Sequence, residues 1–193
     1  MNETTAAYIA GFLDGDGSIH LQLVRQRQYR YGFYVRVSVS FHQHQTGRKG
    51  LEWLKEQLQD GYLRNRSGQM SDYVITSRPT IRRLLRAIAP YVVFKRQQVE
   101  QGLKLLDAIE AIDSRDKFLA VARQVEAFKT LNRSKRKINT VQRVLDTWSE
   151  MRVLAPVTTD PDLPAATIAA QAGRVRSSDD EDHTPAPRKR VEI

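Results

Sequence analysis

Two carboxylates spaced two residues apart, Asp14 and Asp16, close an apolar run and alternate with glycines: Ala6-Ala7-Tyr8-Ile9-Ala10-Gly11-Phe12-Leu13-Asp14-Gly15-Asp16-Gly17-Ser18. The pattern predicts a helix that delivers its acids into a glycine-hinged turn before a strand, an arrangement able to hold a divalent metal. An EF-hand calcium loop starts the same way but needs glycine at its sixth position and glutamate at its twelfth. Counted from Asp14, those places hold Ile19 and Arg25. A purely structural role as a helix stop fits poorly, because acids near a helix C-terminus oppose the macrodipole.

The elements that must position these acids follow from periodicity. Ile19, Leu21 and Leu23 alternate with His20, Gln22 and Val24, and Phe33, Val35, Val37, Val39 and Phe41 alternate with Tyr34, Arg36, Ser38, Ser40 and His42, the period of half-buried strands. Leu51, Leu54 and Leu58 recur at helical spacing before Gly61. A second hairpin reads from Gly61 to Arg66, through Ser67-Gly68, to Ser71–Thr76. Pro79 opens a helix carrying Ile81, Leu84, Leu85 and Ile88, and three more helical stripes follow: Val99 to Ile109, Phe118 to Phe128, and Val141 to Trp148. The fold class expected is α+β, in the order helix, two strands, helix, two strands, helix, then C-terminal helices.

The chain has 193 residues, 31 Lys and Arg against 22 acids, and net charge +9. Such an excess points to a polyanionic partner, since each neutralised phosphate releases counterions. Cysteine is absent, which excludes disulfides and thiolate zinc sites. No apolar run reaches the roughly 18 residues of a membrane span, and the N-terminus lacks a secretory pattern, so a soluble intracellular protein without a membrane partner is expected. From Ala155 onward lie five of the seven prolines, the acidic run Asp179 to Asp182 and the basic cluster Arg188-Lys189-Arg190. The domain expected is therefore 1–153, with a disordered tail at 154–193 whose basic cluster could serve as a nuclear address or a phosphate contact.

The polar strand faces offer groups suited to base edges: His20, Gln22, Gln26, Tyr34, Arg36, Ser40, His42, Arg64, Arg66 and Asp72. Arg reads guanine, Gln adenine and Asp cytosine. Helices covering one side of the sheet would leave this face to double-stranded DNA.

The run Ile9 to Gly17 resembles the signature of the LAGLIDADG homing endonucleases. Ile19 to Gln43, Gly61-Tyr62-Leu63-Arg64, Ser71-Asp72-Tyr73, Pro90 to Gln98 and Lys117 to Lys135 also look like the group I intron-encoded enzymes of organellar ribosomal RNA genes. Roughly residues 4–150 are covered. The resemblance implies a saddle-shaped antiparallel sheet and, because the motif occurs once, a homodimer that cuts both strands of a long near-palindromic site. It also implies that Asp16 binds magnesium, with manganese as a substitute, and that the Gly15 carbonyl completes the coordination. Gln43 would position water and Lys95 would lie near the scissile phosphate. Ala10 and Gly11 would allow close helix approach at the dimer interface, with Asp14 at the helix end beside them. An ungapped reading puts Gly47 where the family keeps an arginine, with Arg48 beside it as a DNA contact, and Ser134, Lys135 and Lys137 resemble a backbone-contacting loop. A chloroplast, a mitochondrion or a bacterial cytoplasm is the implied setting. A non-catalytic regulator or a splicing maturase on the same scaffold is the competing reading.

Overall fold

Six α-helices and four strands, with a 3-10 turn at Gln45–Gly47, build the part of the chain that the computed structural model describes, residues 1–132 and 139–154. They are α1 (Glu3–Asp16), β1 (Gly17–Arg25), β2 (Phe33–His44), α2 (Arg48–Leu58), β3 (Tyr62–Arg66), β4 (Met70–Ile75), α3 (Arg78–Ile88), α4 (Arg96–Glu110), α5 (Arg115–Leu131) and α6 (Val141–Leu154). The strands form one antiparallel sheet in the order β1-β2-β4-β3. The α+β class and the order of elements expected from periodicity are what the chain adopts.

Alternation decides which face of the sheet is covered. Ile19, Leu21 and Leu23 of β1, the odd-numbered apolar residues of β2, and Tyr73 and Ile75 of β4 are buried against the helices. The opposite residues of the same strands point away from that core, as the two-residue period of a strand requires. Helices α2 and α3 add Leu51, Leu54, Leu58, Ile81, Leu84, Leu85 and Ile88 to the core, each spaced to lie on one helix face.

The expected glycine-hinged turn is not formed. Helix α1 continues through Gly15 to Asp16, and β1 begins at once with Gly17. Gly17 keeps extended backbone, and its N–H still bonds the Leu13 carbonyl. A Cβ there would lie 2.7 Å from Leu13 Cα, so the helix-to-strand junction closes only around a residue without one. Both acids thus sit in the final helical turn, on different sides of it.

Among the described residues, the outer edge of β1 has no neighbouring strand. Asn132 donates to the Ile19 carbonyl at 2.6 Å and Asn139 to the Leu23 carbonyl at 2.7 Å. These amides occupy acceptors that a bare sheet edge would otherwise leave open.

Candidate active site and nucleic-acid interface

Asp14 and Asp16 are separated in role by the direction each takes from the end of α1. The Asp14 carboxylate accepts backbone N–H bonds from Val93 at 2.6 Å, Phe94 at 3.1 Å and Lys95 at 2.9 Å. It therefore caps the entry to α4, where unpaired N–H groups and the positive dipole end favour an anion. Lys95 returns the contact, its Nζ donating to the Asp14 carbonyl at 2.5 Å. Of the helix-end and interface roles open to Asp14, these bonds within the protomer fit the helix-end one.

Asp16 is exposed, and Gln43 Nε2 donates to its Oδ2 at 2.8 Å. Gln43 lies inside β2, paired with Ser71, one residue beyond the Phe33 to His42 alternation that marked the strand in the sequence. Burial pulls the Lys95 ammonium below its ordinary pKa, while the charges of Asp14 and Asp16 act the other way. The structure thus brings Asp16, Gln43 and Lys95 together around the α1–β1 junction. Gly47 packs on this group: a Cβ there would stand 3.0 Å from Gln43 Oε1. The neighbouring Arg48 does not reach the cluster, its guanidinium being shared between Glu52 at 2.9 Å and Asn65 at 2.5 Å.

The uncovered sheet face forms the floor of a groove of about 990 Å³. His20, Gln22, Tyr34, Arg36, Ser40, His42, Arg64 and Arg66 line it, as the alternation predicted, and Lys95 stands at its side. Two of the expected base contacts need correction. Asp72 has 0% exposure, and no base edge can reach it. Its carboxylate instead binds His42 Nδ1 at 2.7 Å, Arg64 at 2.8 Å and, more loosely, Arg66 at 3.6 Å. Ser40 is buried and hydrogen-bonded to His42 Nε2 at 3.2 Å, so it supports that ring rather than meeting solvent. Gln26 lies one residue past the end of β1, and its half-buried amide bonds Gln28 at 3.1 Å.

Burial alone would push the Asp72 carboxyl up. The hydrogen bonds from His42 and Arg64, with the charges behind them, outweigh it and hold the group below the usual carboxylate range.

Sequence reasoning missed several residues. Tyr62, Gln98, Lys129 and Asn132 also line the groove. Tyr62 could have been found by extending the alternation of Arg64 and Arg66 backward by two. The others come from helices whose approach is a tertiary matter. Ala10, expected at a dimer contact, is 0% exposed and belongs to the protomer's own core. The outward face of α1 carries Ala7, Tyr8, Gly11 and Gly15 instead. Nearby in sequence to the Asp14 cap, Val93 and Phe94 are 68% and 82% exposed, a costly display for apolar side chains. Ser134, Lys135 and Lys137 lie outside the described residues.

Among the described residues no group of three or more His, Asp or Glu side chains could hold a metal ion. No helix among them is long and apolar enough to cross a membrane.

An antiparallel four-stranded sheet with helices on one face is the fold this chain shares with solved homing endonucleases. The solved structure of I-CvuI in complex with its target superposes with a TM-score of 0.72, covering 78% of this chain and 96% of that one at 23% identity. An archaeal intron-encoded homing endonuclease, I-Vdi141I, complexed with DNA, gives 0.67 at 18% identity over 78% of this chain and 98% of its own. Residues 9–103 match the LAGLIDADG endonuclease family. The chain is also 32% identical over 159 residues to the DNA endonuclease I-CreI of Chlamydomonas reinhardtii, covering 80% of this chain and 97% of that protein. It belongs to the LAGLIDADG endonuclease family.

Proposed function

We propose that this protein is a site-specific, metal-dependent DNA endonuclease that works as a homodimer and cuts both strands of a long near-palindromic site. In our reading that site is an intron insertion point in a ribosomal RNA gene, in an organelle or a bacterium. The observation that carries the proposal is the hydrogen bond from Gln43 to Asp16 at the head of a polar groove, with Lys95 beside it.

One protomer supplies one Asp16, while a two-strand cut needs two reaction centres. Pairing two protomers through the outward faces of α1 would bring two such acids together and cover the exposed Tyr8, Val93 and Phe94. The donors on offer are oxygens: the Asp16 carboxylate and the Gly15 carbonyl, in the last turn, where helical carbonyls lack intrahelical partners. These suit magnesium, with manganese as a substitute, completed by phosphate and water. When bound, the ion would supply water activation and leaving-group stabilisation. Within the chain, Gln43 holds Asp16 in one orientation, Lys95 sets positive charge beside the phosphate, and Arg64 and Arg66 read bases along the groove.

The test is a paired gel-shift and cleavage assay on duplexes selected by the wild type from a randomised two-fold symmetric library. Asp16→Asn keeps shape and removes charge. Cleavage should fall by about three orders of magnitude or more while affinity stays or rises. A mutant that cuts at the wild-type rate would place the metal site elsewhere. Gly47, together with the diversion of Arg48 to Glu52 and Asn65, favours one competing reading, a non-catalytic regulator or maturase. That reading holds if the wild type binds its selected duplex and never cuts it with either metal.

A further inference from the structure

The far end of the groove is held in place by α6. Residues 26–32 join β1 to β2 in a tight loop, closed by Gln26 N–H to the Gly32 carbonyl at 2.9 Å, Tyr29 N–H to Gln26 at 3.1 Å and Gly32 N–H to Tyr29 at 2.7 Å. On the groove side of this loop, Tyr29 stacks on Tyr34 with ring centroids 4.8 Å apart, and Arg36 Nη2 donates to the Tyr34 hydroxyl at 2.7 Å. Tyr29 is itself 47% exposed, a ring displayed rather than stored.

On the other side stands α6. Trp148 Nε1 donates to the Tyr31 carbonyl at 2.7 Å, and its ring packs against Tyr31 and Phe118 with Arg115 over it at 5.5 Å. Gly32, at φ +69°, backs onto Met151 and Thr147. Arg25 and Glu150 pair at 3.9 Å. These contacts tie the loop to a helix that has no part in the Asp16 cluster.

We propose that Trp148 is a positioning residue for target recognition: through the Tyr31 carbonyl it fixes the loop that presents Tyr29, and so sets discrimination at the outer base pairs of each half-site. The inference rests on the endonuclease reading above. Distance separates the two ends of the site. Strand β1 has nine residues from Gly17 to Arg25, which at ~3.3 Å each places the loop roughly 30 Å from Asp16. That is about eight or nine base pairs at 3.4 Å rise. A change at Trp148 therefore alters reading at the margin and spares the chemistry at the centre.

Trp148→Phe keeps a ring and deletes the N–H, and Trp148→Leu removes both. Each is assayed on the library-selected duplex and on versions mismatched at inner or outer positions. Discrimination at outer pairs should fall about fivefold or more in the Leu variant and less in the Phe variant, with inner discrimination and kcat within about twofold and the loss carried in KM. Tyr29→Ala should relax the same outer pairs. Amide exchange at Tyr29 and Gly32 in the free protein should quicken about tenfold or more in Trp148→Leu, with the amides of Gln43 and Ser71 unchanged. Outer discrimination equal to wild type, or an equal loss at every position, overturns the proposal, as does unchanged exchange in the loop. A wild type that cuts no duplex overturns the endonuclease reading instead, and the exchange measurement then judges the Trp148 anchor separately.

Discussion

Asp72 is buried beneath the groove floor, and in the function proposed here it acts on base reading through its neighbours. Its buried carboxylate fixes His42, Arg64 and Arg66 on the groove floor, so each of these presents only the part of its donor set left over. Asp72→Asn should cost about 2 kcal/mol, less than the ~3–5 kcal/mol of a fully buried pair, because the arginine heads are half-exposed. It should also blur base preference at more than one position. The sign of its pH dependence follows from the depressed pKa. The stabilisation is fully present above the ordinary value of 3.8 and is lost as pH falls through the lower folded value. Urea titrations at pH 3 to 7 should show a shallower acid limb in Asp72→Asn than in the wild type; superimposable limbs would contradict the assignment. Arg64→Ala should weaken discrimination at one position of each half-site by about 1–3 kcal/mol and leave Asp72 with fewer partners. A selected-site profile of the variant reads this directly.

At the scale of elements, the ends of α1 and its two faces make opposite demands on its glycines. Gly11 is exposed, and a Cβ there meets nothing within 4 Å. Gly11→Leu should leave the protomer intact and raise its intrinsic stability by up to about 1 kcal/mol, since glycine weakens a helix. The same variant should weaken dimerisation, with overpacking of about 1–3 kcal/mol. Sedimentation at micromolar concentration and a thermal melt separate the two effects; a variant that dimerises like the wild type removes α1 from the interface. Gly17→Ala should behave in the reverse way. Its added methyl meets Leu13 Cα at 2.7 Å and the Leu13 carbonyl at 2.9 Å, so the junction must shift. A loss of about 1–3 kcal/mol in stability is expected. A disproportionate fall in cleavage should accompany it, because Asp16 is the adjoining residue.

For the molecule as a whole, charge and shape work together. Five basic and seven acidic residues lie past Leu154, so residues 1–154 carry +11 of the chain's net +9. That excess belongs to the part of the chain that holds the groove. If the dimer makes about six to ten phosphate contacts, affinity should drop on the order of 10³ to 10⁵ between 50 and 200 mM salt. Fluorescence anisotropy across that range checks the slope, and a flat response would sink the DNA-binding reading. Electrostatics of this kind sets affinity and approach. Sequence choice is left, in the function proposed here, to the short-range groups on the strands.

The sequence by itself determined the succession of elements and the two faces of the sheet, because strand and helix periods are local and each buried residue announces its own side. It also marked Asp14 and Asp16 as a pair of acids at the end of an apolar helix, a place the macrodipole disfavours. What it could not show is which distant groups converge. Gln43 reaches Asp16 across 27 residues, and Asp14 takes its three N–H bonds from residues 79 to 81 positions away. The face of α1 turned inward was equally hidden, since apolar and small residues surround that helix and only packing chose Ala10 for the core and Gly11 for the outside. Asp72 read as a base contact because its strand position pointed to the groove. Tertiary structure closed His42 and two arginines over it, because a carboxylate on a half-covered sheet is stable only when its neighbours on adjoining strands satisfy it.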